Sequence, residues 1–206
     1  MKKPEYPQIK RAGDFIFALL GLAILAAPFF LVALIIKLES DGPAIRRDKR
    51  IGKNGKHFIM YKFRTMTMNA PICATAHCDH SKYVTRFGSI LRKSSFDELP
   101  QLVNVLRGEM SLIGPRPVIA LEKTTNSLRQ KHRVFAIRPG ITGWAQVNGR
   151  DNVDEVEKVA LDRHYRDHLS FKMDCACVIR TFTTVLIGDG IAENTKETVK
   201  INAKKD

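Results

Sequence analysis

One uninterrupted apolar run dominates the hydropathy pattern of this chain. Residues 15–36, from Phe15 to Ile36, contain no charged side chain. As an α-helix rising about 1.5 Å per residue, the run is long enough to cross a bilayer core of roughly 30 Å. It is also longer than the roughly 7–15 residues typical of the hydrophobic region in a cleaved signal peptide. The pattern therefore predicts a membrane helix near the N-terminus.

Positive charges on both sides of this run indicate how the helix meets the membrane. Four Lys or Arg residues precede it, and seven more lie between Lys37 and Lys56. Because such residues favour the cytoplasmic flank, both ends are drawn to the same face. Pro28, near the middle, removes a backbone hydrogen bond and kinks the helix. We expect a broken, re-entrant helix; one straight span is the alternative, which a freed carbonyl facing lipid would favour.

The chain changes character after Gly42. Two short runs, 44–48 and 57–63, flank the segment Gly-Lys-Asn-Gly at 52–55, whose glycines and Asn54 suit positive φ. This pattern predicts a β-hairpin. Its many cations would lie either on anionic lipid head groups or in solvent.

Helical patterns follow in the second half of the chain. Residues 119–135 read weakly as helix, 153–168 as a polar amphipathic surface helix, and Asp174 is positioned to cap a helix that runs through Leu186. His164 and His168 fall four residues apart and read as surface residues, since no third ligand accompanies them. We therefore predict an α+β, predominantly helical fold with a re-entrant membrane helix, a small hairpin and amphipathic surface helices.

Three regions follow from these patterns. We expect residues 1–40 to form the membrane anchor, residues 41–187 a cytoplasmic domain that carries the candidate catalytic residues considered next, and residues 188–206 a polar, lysine-rich tail. A chain of 206 residues can build one domain with a real core, whereas two full domains would be crowded.

The stretch from Leu91 to Pro117 carries the clearest candidate chemistry. Asp97 and Glu98 stand together just before Pro100, an arrangement typical of a helix start. Ser95 and Glu98 match a capping box, but Asp97 or its neighbour as the cap would give Pro100 a more comfortable position, and we prefer that frame. The helix should end at Gly108. Alone, the two acids could be simple partners of the helix dipole.

Cations surround the acid pair in the sequence. Arg92 and Lys93 precede it, and Arg116 follows between two prolines that fix the backbone, so that its planar side chain is prepared to grip a phosphate. A glycine-rich segment from Arg138 to Arg150 could bring backbone N–H groups close to a diphosphate. The net charge of +13, from 34 Lys and Arg against 21 Asp and Glu, points to phosphate-bearing partners without choosing among them.

The four cysteines, Cys73, Cys78, Cys175 and Cys177, are too few and too unevenly spaced for the disulfide framework of a secreted protein. We expect reduced thiols in a cytoplasmic setting. The loop between Met66 and Tyr83 also contains four residues of zinc-binding types, Cys73, His77, Cys78 and His80. Their spacing matches no common structural zinc pattern, so a surface loop is preferred over a zinc site.

Four segments of the chain together closely resemble the bacterial sugar transferase family, the monotopic phosphoglycosyl transferases. They are YKFRTM at 61–66, SFDELPQ at 95–101, MSLIGPRP at 110–117 and RPGITGWAQVNGR at 138–150. The resemblance extends from about Gln8 to Leu186 and is to the small catalytic form. It implies transfer of a phospho-sugar from a UDP-sugar to polyprenyl (undecaprenyl) phosphate with release of UMP, using Mg2+. This reaction begins polysaccharide or glycoconjugate assembly at the cytoplasmic face of the bacterial inner membrane, without a nucleic-acid partner.

The resemblance also implies roles for individual residues. Asp97 matches the nucleophile that forms a covalent phospho-sugar intermediate, and Glu98 matches the acid associated with Mg2+. The further positions matched to the substrate site are Lys62, Arg92, Arg116, Arg150 and Asp174. The elementary chemistry agrees, because a carboxylate near cations stays ionised at neutral pH and cations neutralise a diphosphate under attack.

This chain departs from the family pattern at several positions. The family's re-entrant helix breaks at a Ser-Pro pair, whereas this chain has Ala27 and Pro28. Phe96 replaces the usual Leu before the acids, and Arg46 and Asp48 stand where an aromatic residue and Gln are common. A rival class, a non-catalytic membrane-anchored basic module that binds anionic lipid or nucleic acid, would explain the charge and the anchor but not the acid pair.

Overall fold

The computed structural model describes residues 6–70, 81–148 and 154–187. Most of these residues are helical, with one β-hairpin and one short pair of parallel strands, which confirms an α+β, predominantly helical fold. The predicted Cys/His segment at 73–80 and Arg150 lie outside the described residues.

The first helix, α1, spans Tyr6–Glu39 and contains the predicted apolar run. It begins well before Phe15, because its first turns are polar residues that bind the rest of the protein. The helix continues through Pro28 without ending there. A proline kink is compatible with such a continuous helix, so the re-entrant geometry stays a prediction. At about 1.5 Å per residue, α1 extends roughly 50 Å. Within the described residues, α1 alone is long and apolar enough to cross a membrane, by length and composition.

Both ends of α1 bind the rest of the protein. Near the start, the Arg11 guanidinium donates to the carbonyls of Val105 and Leu106 at 2.7 and 3.1 Å. At the other end, the buried Arg64 donates to the carbonyls of Ile36 and Ser40 at 3.3 and 2.6 Å. These bonds satisfy terminal carbonyls of helices, which lack intrahelical partners. The two ends of α1 are therefore fixed to the same folded body.

The predicted hairpin is present. Strand β1 (Ile45–Ile51) pairs antiparallel with β2 (His57–Phe63), with Arg46 opposite Lys62. Asn54 and Gly55 in the connecting turn have φ values of 57° and 73°, the conformations for which these residue types are suited. Gly52, by contrast, has a negative φ of −111°.

Within the described residues, six further α-helices follow the hairpin, and some bounds differ from those predicted. They are α2 (Arg86–Lys93), α3 (Leu102–Leu106), α4 (Lys123–Lys131), α5 (Trp144–Asn148), α6 (Glu155–Asp167) and α7 (Phe171–Ile187). The sequence patterns did not predict α2, which the Thr85 hydroxyl caps by accepting from Gly88 N–H. Asp154 caps α6 as a predicted surface helix requires. The prediction that Asp174 caps α7 is wrong, since Asp174 lies inside its first turn.

The glycine-rich segment forms a parallel pair of strands. Strand β3 (Ser111–Ile113) pairs with β4 (Gly140–Thr142). A Cβ on Gly140 would lie 2.1 Å from the Gly114 nitrogen, and one on Gly143 would lie 2.0 Å from the Gly114 oxygen. The described glycines therefore allow two segments of this chain to approach each other, where the sequence had suggested room for a ligand.

The core places the apolar helix α1 directly beside the acid pair. Phe96, the residue before Asp97, stacks on Phe63 of β2 at a centroid distance of 6.3 Å. Phe29 of α1 meets both rings edge-on, at 5.2 Å from Phe63 and 6.0 Å from Phe96. Aromatic pairs in this range attract each other beyond simple burial. This trio joins α1, the hairpin and the Asp97 turn in one apolar cluster.

Candidate active site

The acid pair lies in a tight turn that precedes α3. Residues Phe96–Gln101 form a 3-10 helix after Ser95, which adopts a left-handed conformation with φ of 56°. The prediction that Asp97 or its neighbour caps an α-helix is therefore wrong: Ser95 takes the cap position, without a side-chain hydrogen bond. Pro100 becomes the fifth helical residue and has no N–H to continue an α-helical ladder, in keeping with the tighter winding. Helix α3 ends at Leu106, and Gly108, with φ of 80°, takes the left-handed position just beyond its end, in keeping with the predicted stop.

Asp97 is a buried carboxylate between like and opposite charges. Its side chain is almost fully buried, and this burial, reinforced by the charge of Glu98, raises its pKa from 3.8 to about 6. Lys62, Arg116 and Arg92 act in the opposite direction without overcoming the burial. About nine tenths of Asp97 is still ionised at pH 7. The side chain is thus a carboxylate whose charge is poorly solvated, a reactive state for a nucleophile.

The pKa of Glu98 is shifted in the opposite direction to that of Asp97. Burial raises its pKa, but the charge and hydrogen bond of Arg116 outweigh the burial, and the pKa of Glu98 falls below its ordinary value. The Arg116 Nη2 atom lies 2.7 Å from Glu98 Oε1. The two neighbouring acids therefore differ. Glu98 is paired with Arg116 and fully ionised at neutral pH, whereas Asp97 has a pKa of about 6, much closer to neutral pH.

Arg116 itself is positioned by a buried ion pair that the sequence patterns did not indicate. Arg129 on α4 donates from Nη1 to the Arg116 carbonyl at 2.7 Å and from Nη2 to Asp162 on α6 at 2.5 Å. Both ion-pair side chains are only 2 % exposed. The predicted rigid turn at Pro115 and Pro117 is thus also held by Arg129, which binds the backbone carbonyl of Arg116.

Lys62 reaches the acid pair from β2. Burial lowers its pKa, while the charges of Asp48, Asp97 and Glu98 act to raise it. Its described ion pair is with Asp48, at 3.9 Å from Oδ2. Asp48 was not among the predicted site residues. Its signal in the sequence was a single acid at the centre of a basic strand, two residues from Arg46 and two from Arg50.

Arg92 and Asp174 have different surroundings. The Arg92 Nε atom donates to the Thr65 hydroxyl at 3.0 Å, and its charge acts on Asp97. Asp174 instead accepts from Tyr6, Lys10 and Tyr165 at 2.5, 2.7 and 2.6 Å. These contacts connect α7 to the start of α1 and to α6. The structure therefore brings Lys62, Arg92 and Arg116 around the acid pair, and places Asp174 where the start of α1 attaches to the rest of the protein.

Comparison with known proteins identifies the family. Residues 5–188 match the family described as Bacterial sugar transferase. The chain is 36% identical over 194 residues to the "Uncharacterized sugar transferase EpsL" of Bacillus subtilis, covering 93% of this chain and 94% of that protein.

Two longer relatives carry names that describe a reaction. A UDP-glucose:undecaprenyl-phosphate glucose-1-phosphate transferase of Caulobacter vibrioides is 42% identical over 189 residues, covering 87% of this chain and 70% of that protein. A UDP-N-acetylgalactosamine-undecaprenyl-phosphate N-acetylgalactosaminephosphotransferase of Aeromonas hydrophila is 37% identical over 199 residues, or 92% of this chain and 46% of that protein. The buried acid pair among cations, set beside an apolar helix, thus occurs in a chain that belongs to the bacterial sugar transferase family of enzymes.

Proposed function

We propose that this protein transfers a phospho-sugar from a UDP-sugar to undecaprenyl phosphate and so begins the assembly of a polysaccharide or glycoconjugate. The observation that carries the proposal is the buried Asp97, ringed by Lys62, Arg92 and Arg116 in a member of this family. The relatives from Caulobacter vibrioides and Aeromonas hydrophila are named for this type of reaction with two different sugars. Their names support the reaction type and leave the sugar to experiment.

The proposed reaction has two displacements at one phosphorus atom. A carboxylate oxygen of Asp97 attacks the phosphorus that bears the sugar, the bond from that phosphorus to the oxygen bridging the two phosphates breaks, and UMP leaves with the bond's electrons. A phosphate oxygen of the lipid then attacks the same phosphorus and displaces Asp97, which regains its charge. The product is undecaprenyl diphospho-sugar. Burial favours the first step, because a poorly solvated carboxylate gives up little hydration on attack.

The cations have a defined task in this scheme. The diphosphate is negative, so an approaching carboxylate is repelled unless positive charge lies close to the reacting oxygens. Arg116 presents a fixed guanidinium, and Lys62 and Arg92 approach from β2 and α2. Together they attract the donor and balance the charge that builds on the leaving UMP.

Glu98 is the residue that would hold Mg2+. The described part of the chain contains no cluster of three or more His, Cys, Asp or Glu suited to a metal. Mg2+ does not require one, because it commonly binds one or two carboxylates and fills its remaining positions with water and substrate phosphates. The ionised Glu98, next to Asp97, provides such oxygens. When bound, the ion would neutralise part of the diphosphate charge.

The packing of α1 supports a helix that returns to the cytoplasmic face. Both of its ends bind the catalytic domain, through Arg11 and through Arg64, and Phe29 near the middle touches Phe96 beside the nucleophile. A straight span would carry one end to the far side of the membrane. The outer side of α1 exposes large apolar residues such as Ile24, Phe30 and Leu38, suited to lipid. Asp97 would then lie close to the surface where the lipid phosphate resides.

One assay tests the reaction and the nucleophile together. Purified protein in lipid nanodiscs with undecaprenyl phosphate and Mg2+ is given a panel of UDP-sugars, and UMP is measured. We expect UMP from at least one donor, no UMP from Asp97→Asn, and normal release from the control Asp41→Asn, which changes an exposed acid. Without the lipid acceptor, intact-protein mass spectrometry should detect a phospho-sugar adduct on the wild type. Full UMP release by Asp97→Asn would disprove the nucleophile.

The orientation of α1 has its own test. Single cysteines are placed at Lys3 and Lys53 in a background without native cysteines, and each is labelled with a membrane-impermeant reagent in inverted vesicles and in intact cells. Re-entry predicts that both positions react from the same face. Labelling from opposite faces would establish a single span.

A further inference from the structure

Asp48 lies at the centre of a charged face on the hairpin. Side chains alternate along a strand, so Arg46, Asp48 and Arg50 share one face of β1, whereas Arg47 and Lys49 are exposed on the other. Lys62 on β2 is directly opposite Arg46, which puts it on the same face. This face is turned towards the acid pair, since Lys62 senses the charges of Asp97 and Glu98.

The Asp48 carboxylate contacts three cations, one through a hydrogen bond and two at longer distances. Its Oδ1 atom accepts from Arg46 Nε at 2.8 Å. Its Oδ2 atom lies 3.6 Å from Arg50 Nη2 and 3.9 Å from Lys62 Nζ, and has no direct hydrogen-bond partner although it is buried. Burial raises the pKa of Asp48, but the charges of Lys62 and Arg46 outweigh it and hold the pKa below the ordinary value. Asp48 is therefore ionised at neutral pH and attracts Lys62 without fixing it by a direct bond.

Lys62 interacts with more than one acid. Its ammonium lies 3.9 Å from Asp48 Oδ2 on the hairpin, is also attracted by the charges of Asp97 and Glu98, and is repelled by Arg116. If Lys62 closed onto Asp97, it would neutralise the carboxylate expected to attack and occupy its lone pairs. The charge of Asp48 opposes this movement, because it attracts the ammonium towards the hairpin.

We propose that Asp48 is a positioning residue that holds the Lys62 ammonium between the hairpin and the acid pair, where it meets a donor phosphate without closing onto Asp97. This inference rests on the proposed function for its kinetic consequences, but not for its geometry. Arg46 and Arg50 hold the Asp48 carboxylate in place from both sides along β1.

Kinetics of isosteric and conservative variants test the role. Asp48→Asn should lower kcat for UMP release about tenfold or more, while the KM for the UDP-sugar changes less than about threefold, as for supporting residues that act through another group. In a plot of kcat against pH, the fall in rate at alkaline pH should begin about one pH unit lower in this variant, because the charge that keeps Lys62 protonated is lost. This fall is the alkaline limb of the profile. Asp48→Glu should recover most of the rate and of the limb, and Asp41→Asn should match the wild type. An unchanged kcat and limb, or a loss confined to KM, would overturn the proposal.

A second measurement is independent of activity. Acetylation of Lys62 is followed against pH by peptide mass spectrometry, in wild type and in folded Asp48→Asn with a normal thermal transition. The midpoint for Lys62 should fall by about one pH unit in the variant and stay unchanged in Asp41→Asn. If the wild type released no UMP from any donor, the proposed function would fail while this measurement still tested the Asp48–Lys62 link. Identical midpoints in wild type and Asp48→Asn would refute the link itself.

Discussion

Replacing the proposed nucleophile should make the protein more stable. The pKa of Asp97 is raised to about 6 from an ordinary 3.8, so the folded state binds the proton more tightly than the unfolded chain does. Ionising Asp97 therefore lowers the free energy of unfolding. This loss is absent well below pH 3.8, grows between pH 3.8 and 6, and is complete above pH 6. Asn has the shape of the neutral acid and avoids the loss at every pH.

The magnitude follows from the two pKa values. At about 1.36 kcal/mol per pKa unit, the loss is about 3 kcal/mol at pH 7 and about 1 kcal/mol at pH 4.5. Asp97 is 7 % exposed, so solvent screening reduces this figure little. For a protein of this size, about 3 kcal/mol corresponds to a Tm increase of roughly 6–12 °C. The variant that abolishes UMP release is thus expected to melt later than the wild type.

Differential scanning fluorimetry in one detergent, from pH 4.5 to 8, measures the effect. The Tm difference between Asp97→Asn and wild type should rise through pH 6 and then level off. Asp41→Asn, which changes an exposed acid, is the control and should give only a small difference from the wild type in this range. A Tm for Asp97→Asn that equals or falls below the wild type across this range would refute the conclusion that burial dominates the site.

Two further predictions concern the support of Arg116 and the close strand pair. Arg129→Met leaves Asp162 buried without its partner and should destabilise the fold by about 3–5 kcal/mol in chemical unfolding, whereas Arg163→Met, at the exposed Arg163–Asp167 pair, should change it by less than about 1 kcal/mol; equal effects would contradict this account. Gly140→Ala, whose Cβ would meet backbone at 2.1 Å, should cost about 3 kcal/mol or more, whereas Gly13→Ala, with open space around it, should be nearly neutral. A normal Tm for Gly140→Ala would contradict the described strand contact.

Local sequence patterns predicted the helices and strands whose formation depends mainly on residues close to them in the sequence. The apolar run predicted α1, the two short runs around the Gly-Lys-Asn-Gly segment predicted the hairpin, and the polar amphipathic pattern at 153–168 predicted α6. The turn that begins at Ser95 is an exception. Ser95 adopts a left-handed conformation that no local rule favours for Ser, and it converts the predicted α-helical start into a tight 3-10 turn. Packing of Phe96 against two other aromatic rings accompanies that conformation.

The sequence by itself determined the long apolar helix, the acid pair, the cations that flank it and, through four motifs, the family. These features depend on residue type and spacing, which a linear pattern preserves. Only the tertiary structure decided which charges meet. It paired Glu98 with Arg116, placed Asp48 beside Lys62, supported Arg116 by the buried Arg129–Asp162 pair, and assigned Asp174 to the start of α1. Burial, a property of the folded chain as a whole, sets the pKa of Asp97 near 6, against the cations that the sequence had placed around it.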